Sequence, residues 1–477
     1  MKSLSVASRR PKTSWVPATV RRPLEALCHR WGSWIKARPG RQTALLALFV
    51  YLVVTGVYFA LAPRELLTSH TRYNHFSHLA AAWLEGRLDL PDGPPSYAQN
   101  NDFARFGDKW FITFPPFPAV ILLPFVALAG GEVELVRDGQ VFLWVAGLGP
   151  ALLLVALERL RQVGHSRRTP QQNVVLAFLF AFATVFFFTA LQGTVWFAAH
   201  VVGVALAAAY LVFAIDARFP VLAGVAIGLG WLTRAPLIFA APLFALEALR
   251  VCGGLSSSSA SGGERRWRGW WEGLQLRRLL RLSVAFALPV LICLLISFMH
   301  NQARFGDPFD TGYQHLTVAW QARMKKWGLF HYHYLARNLA VVLSGLPWTG
   351  KGDAWFRINA HGLALWFTTP LYLWLLWPKR RPAPHWALWA TVAAVAMPAL
   401  FYQNTGWAQF GYRFSNDYAV FLFALLALGD RRLNGVFAAA ALWAVVVNGF
   451  GAVSFGNSRF ADYYYYDGSQ QRLFEPD

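Results

Sequence analysis

Residues 116–130, PFPAVILLPFVALAG, decide how the rest of the chain is arranged. The segment is apolar but short, and Pro116, Pro118 and Pro124 interrupt it, whereas a helix that crosses a bilayer needs about 20 apolar residues. If this segment crosses, every later segment changes sides of the membrane. We expect that it does not cross and that it lies at the outer interface, as a juxtamembrane helix or a re-entrant piece.

The composition of the whole chain indicates a membrane protein. Of its 477 residues, 56% are hydrophobic and only 14% are charged, which is too apolar for a single soluble core. The net charge of +20 comes from short basic clusters between apolar runs, a pattern typical of membrane topology and not of nucleic-acid binding. We therefore expect an all-α polytopic protein with about 11 transmembrane helices and outer juxtamembrane helices. The expected spans are 43–62, 139–157, 173–190, 195–215, 219–232, 235–249, 282–299, 361–377, 386–402, 417–429 and 433–451.

The distribution of charge gives the expected orientation. With residues 116–130 outside, the cytoplasmic segments hold 27 of the 44 Lys and Arg residues but seven of the 24 Asp and Glu residues. If the segment crossed, the Arg-rich stretches ERRWRGWW and PKRRPAPH would face outward, against the positive-inside rule. The sequence thus predicts a multi-pass protein of the cytoplasmic (inner) membrane with a cytoplasmic amino terminus. The run 43–62 is long enough to be a retained first helix and not a signal peptide.

Three regions follow from this topology. Residues 1–42 are a basic cytoplasmic segment, 43–451 form the transmembrane domain, and 452–477 form an outer carboxyl-terminal tail. The transmembrane domain carries large outer loops at 63–138, 300–360 and 403–416. On the predicted cytoplasmic side, GGLSSSSASGG at 253–263 is typical of a flexible linker. The sequence contains no P-loop motif, so nucleotide-driven transport has no support.

The first outer loop contains the candidate acids. Residues 74–84 have helical apolar spacing and should lie flat on the membrane, with Asn74, His75 and His78 on the polar face. Residues 102–110 predict a hairpin with Gly107 and Asp108 at its tip, which leaves Asp102 and Asp89 as the better functional candidates. The alternative for each acid is a solvated loop residue or a helix cap.

Arginines occur at a similar depth near the outer ends of several helices. Arg234, Arg304 and Arg413 are the three, and Gln409 adds a polar group in the last outer loop. Guanidinium groups suit phosphate oxygens, so these residues predict an anion site. Alternatively each arginine snorkels to lipid head groups, or Arg304 pairs with Asp307 and Arg413 with Asp417. His200, inside an apolar run, is expected to be a helix–helix hydrogen-bond partner.

Four stretches carry a family resemblance: YNHF with LAAAWLEGRLDLP, NDFARFGDKWFITFPPFPAVILLP, NQARFGDPFDTGY and QFGYRFSNDY. From about Thr43 to Phe450 the chain resembles bacterial GT-C glycosyltransferases, integral membrane enzymes that use lipid-phosphate-linked sugars. The resemblance implies transfer of a sugar from a polyprenyl-phosphate donor to a glycan, lipid or protein acceptor at the periplasmic face. It further implies an outer-loop carboxylate as general base, with arginines, or a divalent cation such as Mg²⁺ or Mn²⁺, stabilising the departing lipid phosphate.

One residue departs from this pattern. Many such enzymes have an Asp at the start of the amphipathic helix, where this chain has Asn74, and an amide cannot accept a proton. The base would then be Asp102 or, failing that, Asp89 or His75, with Asn74 on the substrate-binding side. Two other functions stay open: a transporter or flippase of lipid-linked glycan, and a non-catalytic protein of the envelope that binds lipid-linked glycan.

Overall fold

The computed structural model describes residues 39–99, 102–253, 273–318, 320–349 and 355–466. Most of the predicted basic segment, the serine-rich linker and the end of the predicted tail lie outside these residues. The chain forms two compact units, Met1–Leu46 and Ala47–Asp477, and the first helix begins in the first of them.

The described residues are mostly helical, with two small sheets. The strands are β1 (Asp89–Leu90), β2 (Phe103–Phe106), β3 (Lys109–Ile112), β4 (Trp348–Thr349), β5 (Phe356–Asn359) and β6 (Tyr464–Tyr465). The helices are α1 (Pro39–Leu61), α2 (Arg64–Thr68), α3 (His75–Leu84), α4 (Phe117–Leu128), α5 (Asp138–Ala146), α6 (Leu148–Gln162), α7 (Pro170–Phe182), α8 (Phe186–Ala190), α9 (Val195–Ala214), α10 (Pro220–Trp231), α11 (Ala241–Val251), α12 (Leu276–Phe305), α13 (Gln321–Trp327), α14 (Leu335–Ser344), α15 (Leu365–Thr368), α16 (Pro384–Phe401), α17 (Asn416–Leu428) and α18 (Gly435–Ser454).

Six helical segments among the described residues are long and apolar enough to cross a membrane, so the chain is a multi-pass membrane protein. They are Pro39–Leu61, Asp138–Gln162, Val195–Ala217, Leu276–Phe305, Pro384–Phe401 and Gly435–Ser454. The predicted count of about 11 is not confirmed, because several of the expected spans form shorter or broken helices. The run 361–377, for example, divides at Pro370 into α15 and a 3₁₀ helix. Broken helices occur at membrane depth where other helices bury them.

The segment that decides the topology forms α4, which has 12 residues. At about 1.5 Å per residue it extends about 18 Å, well short of the roughly 30 Å hydrocarbon core of a bilayer. Its buried side, which includes Ala119, Leu122 and Val126, packs in one hydrophobic cluster with residues of α3 and the hairpin. The backbone N–H of Phe117 donates to the carbonyl oxygen of Leu232 at 2.8 Å, which places the start of α4 beside the end of α10.

The predicted hairpin is confirmed. Strands β2 and β3 pair antiparallel with Phe106 opposite Lys109, so Gly107 and Asp108 form the two-residue turn. Gly107 has a φ of 60°, the left-handed conformation that such a turn requires. Strand β1 adds to β3, and the sheet order is β1-β3-β2.

Helix α3 corrects the prediction of an interfacial helix with His75 on its exposed polar face. His75 and Ser77 are completely buried, and Phe76 is 1% exposed. The ring of His75 stacks on Phe103 of β2 at 4.2 Å between centroids. The hairpin folds over the face that the sequence pattern assigns to water, a long-range contact that helical spacing does not encode.

The helices differ in their surroundings. Along α17 every residue is buried, and α9 is buried over most of its length, so both lie inside the bundle. In contrast, only 6% of the apolar window of α12 is buried, which is expected for a helix that faces lipid.

Helices α10 and α12 pack closely because α10 presents two glycines four residues apart. A Cβ at Gly224 would overlap the carbonyl oxygen of Phe286, and one at Gly228 would lie 2.8 Å from the Sγ of Cys293. Small residues at this spacing let two helix backbones approach in a membrane.

The close contact predicts that Gly224→Ala destabilises the protein. The added methyl group meets main chain, which cannot move aside, and overpacking of this kind costs about 1–3 kcal/mol. The midpoint of thermal unfolding in detergent should fall. The control is Gly56→Ala on α1, where an added Cβ meets nothing within 4 Å and the midpoint should stay or rise. Equal midpoints for the two variants would contradict the packing described.

Candidate functional site

Asp102 lies at the start of the hairpin, against the first turn of α9. The indole Nε1 of Trp196 donates a hydrogen bond of 2.7 Å to its Oδ2. The backbone of Asp102 has a φ of 61°, a left-handed conformation that aspartate tolerates better than most residues. Burial raises the pKa of Asp102, while the hydrogen bond from Trp196 and the charge of Arg413 oppose that rise. A carboxylate with a raised pKa is better matched to accepting a proton near neutral pH.

Arg413 is the buried cation whose charge reaches Asp102. Its side chain lies over the ring of Phe197 at 5.0 Å and over Phe414 at 5.6 Å. Among the described residues, the guanidinium Nη1 contacts the carbonyl oxygen of Trp407 at 3.5 Å, and Nε is buried without a hydrogen-bond partner. Burial, followed by the charge of nearby Arg234, lowers the pKa of Arg413 to about 9. A buried cation of this kind gains most from an anion that binds it directly.

Arg234 is instead bound by Asp417 at the start of α17. Its Nε and Nη2 donate to the two carboxylate oxygens at 3.1 and 2.6 Å, a bidentate pair. The Nδ1 atom of His200 lies 3.2 Å from Oδ1 of the same carboxylate, so His200 is in close contact with an acid of another helix, but the geometry of this contact is not that of a hydrogen bond. Asp417 therefore pairs with Arg234. The pairing of Asp417 with Arg413, which the sequence left open as an alternative, is not formed.

Two tyrosines complete this group of side chains, which we call the Asp102–Arg413 site. It comprises Asp102, Trp196, Arg234, Tyr313, Tyr402, Arg413 and Asp417. Burial raises the pKa of Tyr402, and the negative charge of Asp102 acts in the same direction. The same two causes, together with Tyr402, raise the pKa of Tyr313. Both hydroxyl groups thus stay neutral beside the carboxylate, and each is able to donate a hydrogen bond.

The structure gives Arg304 and Gln409 structural contacts. Arg304 donates to the carbonyl oxygen of Ile112 at 2.6 Å and to Oδ1 of Asn301 at 2.8 Å, which fastens the hairpin to α12. Gln409 is completely buried, donates to two carbonyl oxygens, and accepts the backbone N–H of Arg413 at 3.0 Å. Gln409 therefore holds the loop that presents Arg413, and the prediction that Arg304 and Gln409 bind substrate stays a prediction.

The remaining candidates from the first outer loop lie around the site and not in it. Asn74 accepts a hydrogen bond of 3.1 Å from the hydroxyl of Tyr97, and the Nε2 of His78 lies 2.8 Å from that hydroxyl. Asp89 pairs with Lys109 at 3.6 Å on the sheet. The ring of His75 packs between Phe103 and Trp196 and supports the indole that binds Asp102.

The donor set around Asp102 does not fit a divalent cation. Such a cation prefers several oxygen ligands, whereas Asp102 interacts with the charge of Arg413 and the other carboxylate of the site, Asp417, is paired with Arg234. In the described part of the chain, the one group of three suitable ligands is His165, Asp216 and Glu247. Arg250 already forms ion pairs with both of those acids.

Comparison with known proteins gives a structural likeness alone. No protein-family model and no curated protein matches the sequence. The structure is similar to crystal structures of the oligosaccharyltransferase of Archaeoglobus fulgidus, an enzyme of the GT-C type that the sequence resembles. Its apo form has 14% identity and a TM-score of 0.48, over 91% of this chain and 56% of that one. The form tethered to an acceptor peptide has 14% identity and a TM-score of 0.46, over 90% and 56%. The chain thus spans a little over half the length of these structures, and at such values the likeness carries no conclusion about activity.

The ion pair between Arg234 and Asp417 predicts a stability effect. Asp417→Asn leaves the guanidinium of Arg234 buried without a counter-charge, which costs about 3–5 kcal/mol. We expect a large fall in the midpoint of thermal unfolding. Asp307→Asn is the matched control, since Asp307 is exposed and accepts only a local backbone hydrogen bond from Phe309. A loss no greater than that of the control would show that the pair does not stabilise the bundle.

Proposed function

We propose that this chain is a membrane glycosyltransferase that moves a sugar from a polyprenyl-phosphate donor to an acceptor hydroxyl or amide. One observation carries the proposal: half-buried Asp102 and buried Arg413, a carboxylate and a guanidinium, interact electrostatically without an ion pair between them. Two opposite charges that are not paired with each other suit a ligand that gives a proton to the carboxylate and presents an anionic oxygen to the guanidinium.

The reaction follows from the two groups. Asp102 accepts the proton of the acceptor as the acceptor atom bonds to the anomeric carbon. The bond between that carbon and the phosphate oxygen breaks, and its electron pair leaves with the polyprenyl phosphate. Arg413, together with Arg234, which also lies over the Phe414 ring, stabilises the charge that develops on that oxygen. Asn74 cannot be the base, so Asp102 takes this role.

The membrane topology that we propose is the one expected from the sequence. We infer about 11 crossings, with the shorter helices counted as parts of spans, a cytoplasmic segment 1–42 and an outer tail from 452. On this topology α4 stays at the outer interface, and the site faces the periplasm. The acceptor is a glycan, a lipid or a protein, and aromatic rings such as Tyr332, Trp355 and Trp407 are exposed on the predicted outer loops.

The first test replaces the proposed catalytic base and measures the loss of turnover. Purified protein given polyprenyl-phosphate sugars and an acceptor extract should release polyprenyl phosphate, and Asp102→Asn should lower the release about 10²–10⁴-fold. The matched control is Asp108→Asn at the exposed tip of the same hairpin, which should keep full activity. Normal turnover in Asp102→Asn would refute the assignment of the base. Donor binding without turnover in the unmodified protein would identify a lipid-glycan-binding protein instead.

The second test is the pH profile. The base must be ionised, so the rate should fall as the pH drops through the raised pKa of Asp102, above the ordinary aspartate value of 3.8. Trp196→Phe removes the hydrogen bond that favours the carboxylate, so the acid limb should move to higher pH. Trp144→Phe on the exposed face of α5 is the control and should leave the profile unchanged. An unmoved acid limb in Trp196→Phe would show that Asp102 is not the titrating group.

A further inference from the structure

A second site lies at the opposite end of the helices that carry the Asp102–Arg413 site. Helix α16 ends beside Tyr402 and begins at Pro384, while α17 begins beside Arg413 and ends at Leu428. At about 1.5 Å per residue, these helices place their far ends about 20–27 Å from the site. A narrow pocket that opens to the surface lies there, and its polar lining residues are Arg168, His385 and Arg431.

The pocket contains a buried cation without a carboxylate partner. Arg168 is 4% exposed; its Nη2 donates to the carbonyl oxygen of Leu426 at 3.1 Å, and its Nε is buried with no hydrogen-bond partner in the described part of the chain. The Nδ1 of His385, 3% exposed, also has no partner. Among the described residues, the acid that acts electrostatically on Arg168 is Asp430, which forms no ion pair with it. Burial of an unpaired guanidinium is costly unless an anion binds it.

Arg431 adds a second guanidinium at the mouth. It is half-buried, lines the same pocket, and donates through Nε to the carbonyl oxygen of Trp377. Its other nitrogens leave donors for a ligand, since a guanidinium carries five N–H groups. Two guanidinium groups and an imidazole N–H at one pocket match the oxygens of a phosphate.

The other walls of the pocket are apolar. Trp374, Leu375 and Phe437 line it, and the rings of Trp374 and Phe437 meet edge to face at 5.3 Å. Several neighbouring side chains, such as Leu376 and Trp377, are more than half exposed, as expected for a lipid-facing surface. Basic pockets between transmembrane helices at the membrane surface are suited to anionic lipid head groups.

We propose that this pocket binds the phosphate of an anionic lipid, with Arg168 and Arg431 on the phosphate and the acyl chains along Trp374, Leu375 and Phe437. The proposal is independent of the glycosyltransferase assignment, because it uses neither Asp102 nor Arg413. The lipid of this proposal binds at the end of the bundle opposite the Asp102–Arg413 site.

The test measures ligand binding to the purified full chain in detergent by native mass spectrometry. The probes are dioctanoyl phosphatidic acid, dioctanoyl phosphatidylcholine and inorganic phosphate. Arg168→Gln and Arg431→Gln should each weaken phosphatidic acid binding about tenfold or more, the value of one charged hydrogen bond. The neighbours Arg167 and Arg432 are exposed and do not line the pocket, so Arg167→Gln and Arg432→Gln are matched controls of equal charge.

The outcomes separate the possible ligands. Selective binding of phosphatidic acid that is lost in Arg431→Gln and kept in Arg432→Gln supports the lipid site. Equal binding of inorganic phosphate with the same dependence upholds the anion site and overturns its lipid source. Equal weakening in both members of each pair shows a general surface charge effect, and unchanged binding in Arg431→Gln overturns the proposal even if Arg168→Gln fails to fold.

Discussion

The carboxylate of Asp417 determines how charge is distributed at the end of the bundle that carries Asp102 and Arg413. It forms a bidentate ion pair with Arg234 and contacts His200, so three helical regions meet at one buried acid. Because that acid is fully engaged, Arg413 has no carboxylate to pair with among the described residues. Arg413 is buried against two aromatic rings and has few hydrogen-bond acceptors. The proposed chemistry follows from this guanidinium group.

A second constraint brings the proton acceptor to this arginine. Helix α4 is too short to cross a bilayer, and it packs with α3 and the hairpin as one cluster against α9. Trp196 in the first turn of α9 then binds Asp102 at the base of the hairpin. The same packing buries His75 and holds Arg304 against the main chain of β3, so both of these candidate residues support the hairpin.

The sequence predicts local features of this protein better than long-range ones. The hairpin and its Gly107-Asp108 turn, the first helix and the short length of the 116–130 helix all follow from spacing, proline content and turn chemistry. The candidate residues Asp102 and Arg413 follow from their types and positions in outer loops. Trp196 gives no signal, since it lies 94 residues from Asp102, and Arg234 and Asp417 are 183 residues apart. Partners at such separations depend on helix packing. The number of spans is also ambiguous, because short apolar runs between prolines fit both a crossing helix and a broken one.

The most direct test of the central claim is a cryo-electron microscopy map of the protein with polyprenyl phosphate bound. The account predicts the phosphate between the guanidinium groups of Arg413 and Arg234, with Asp102 on the side where the anomeric carbon of the donor would lie. Phosphate density elsewhere, with Arg413 still covered by Phe197 and Phe414 and Asp102 directed away from the lipid, would contradict it.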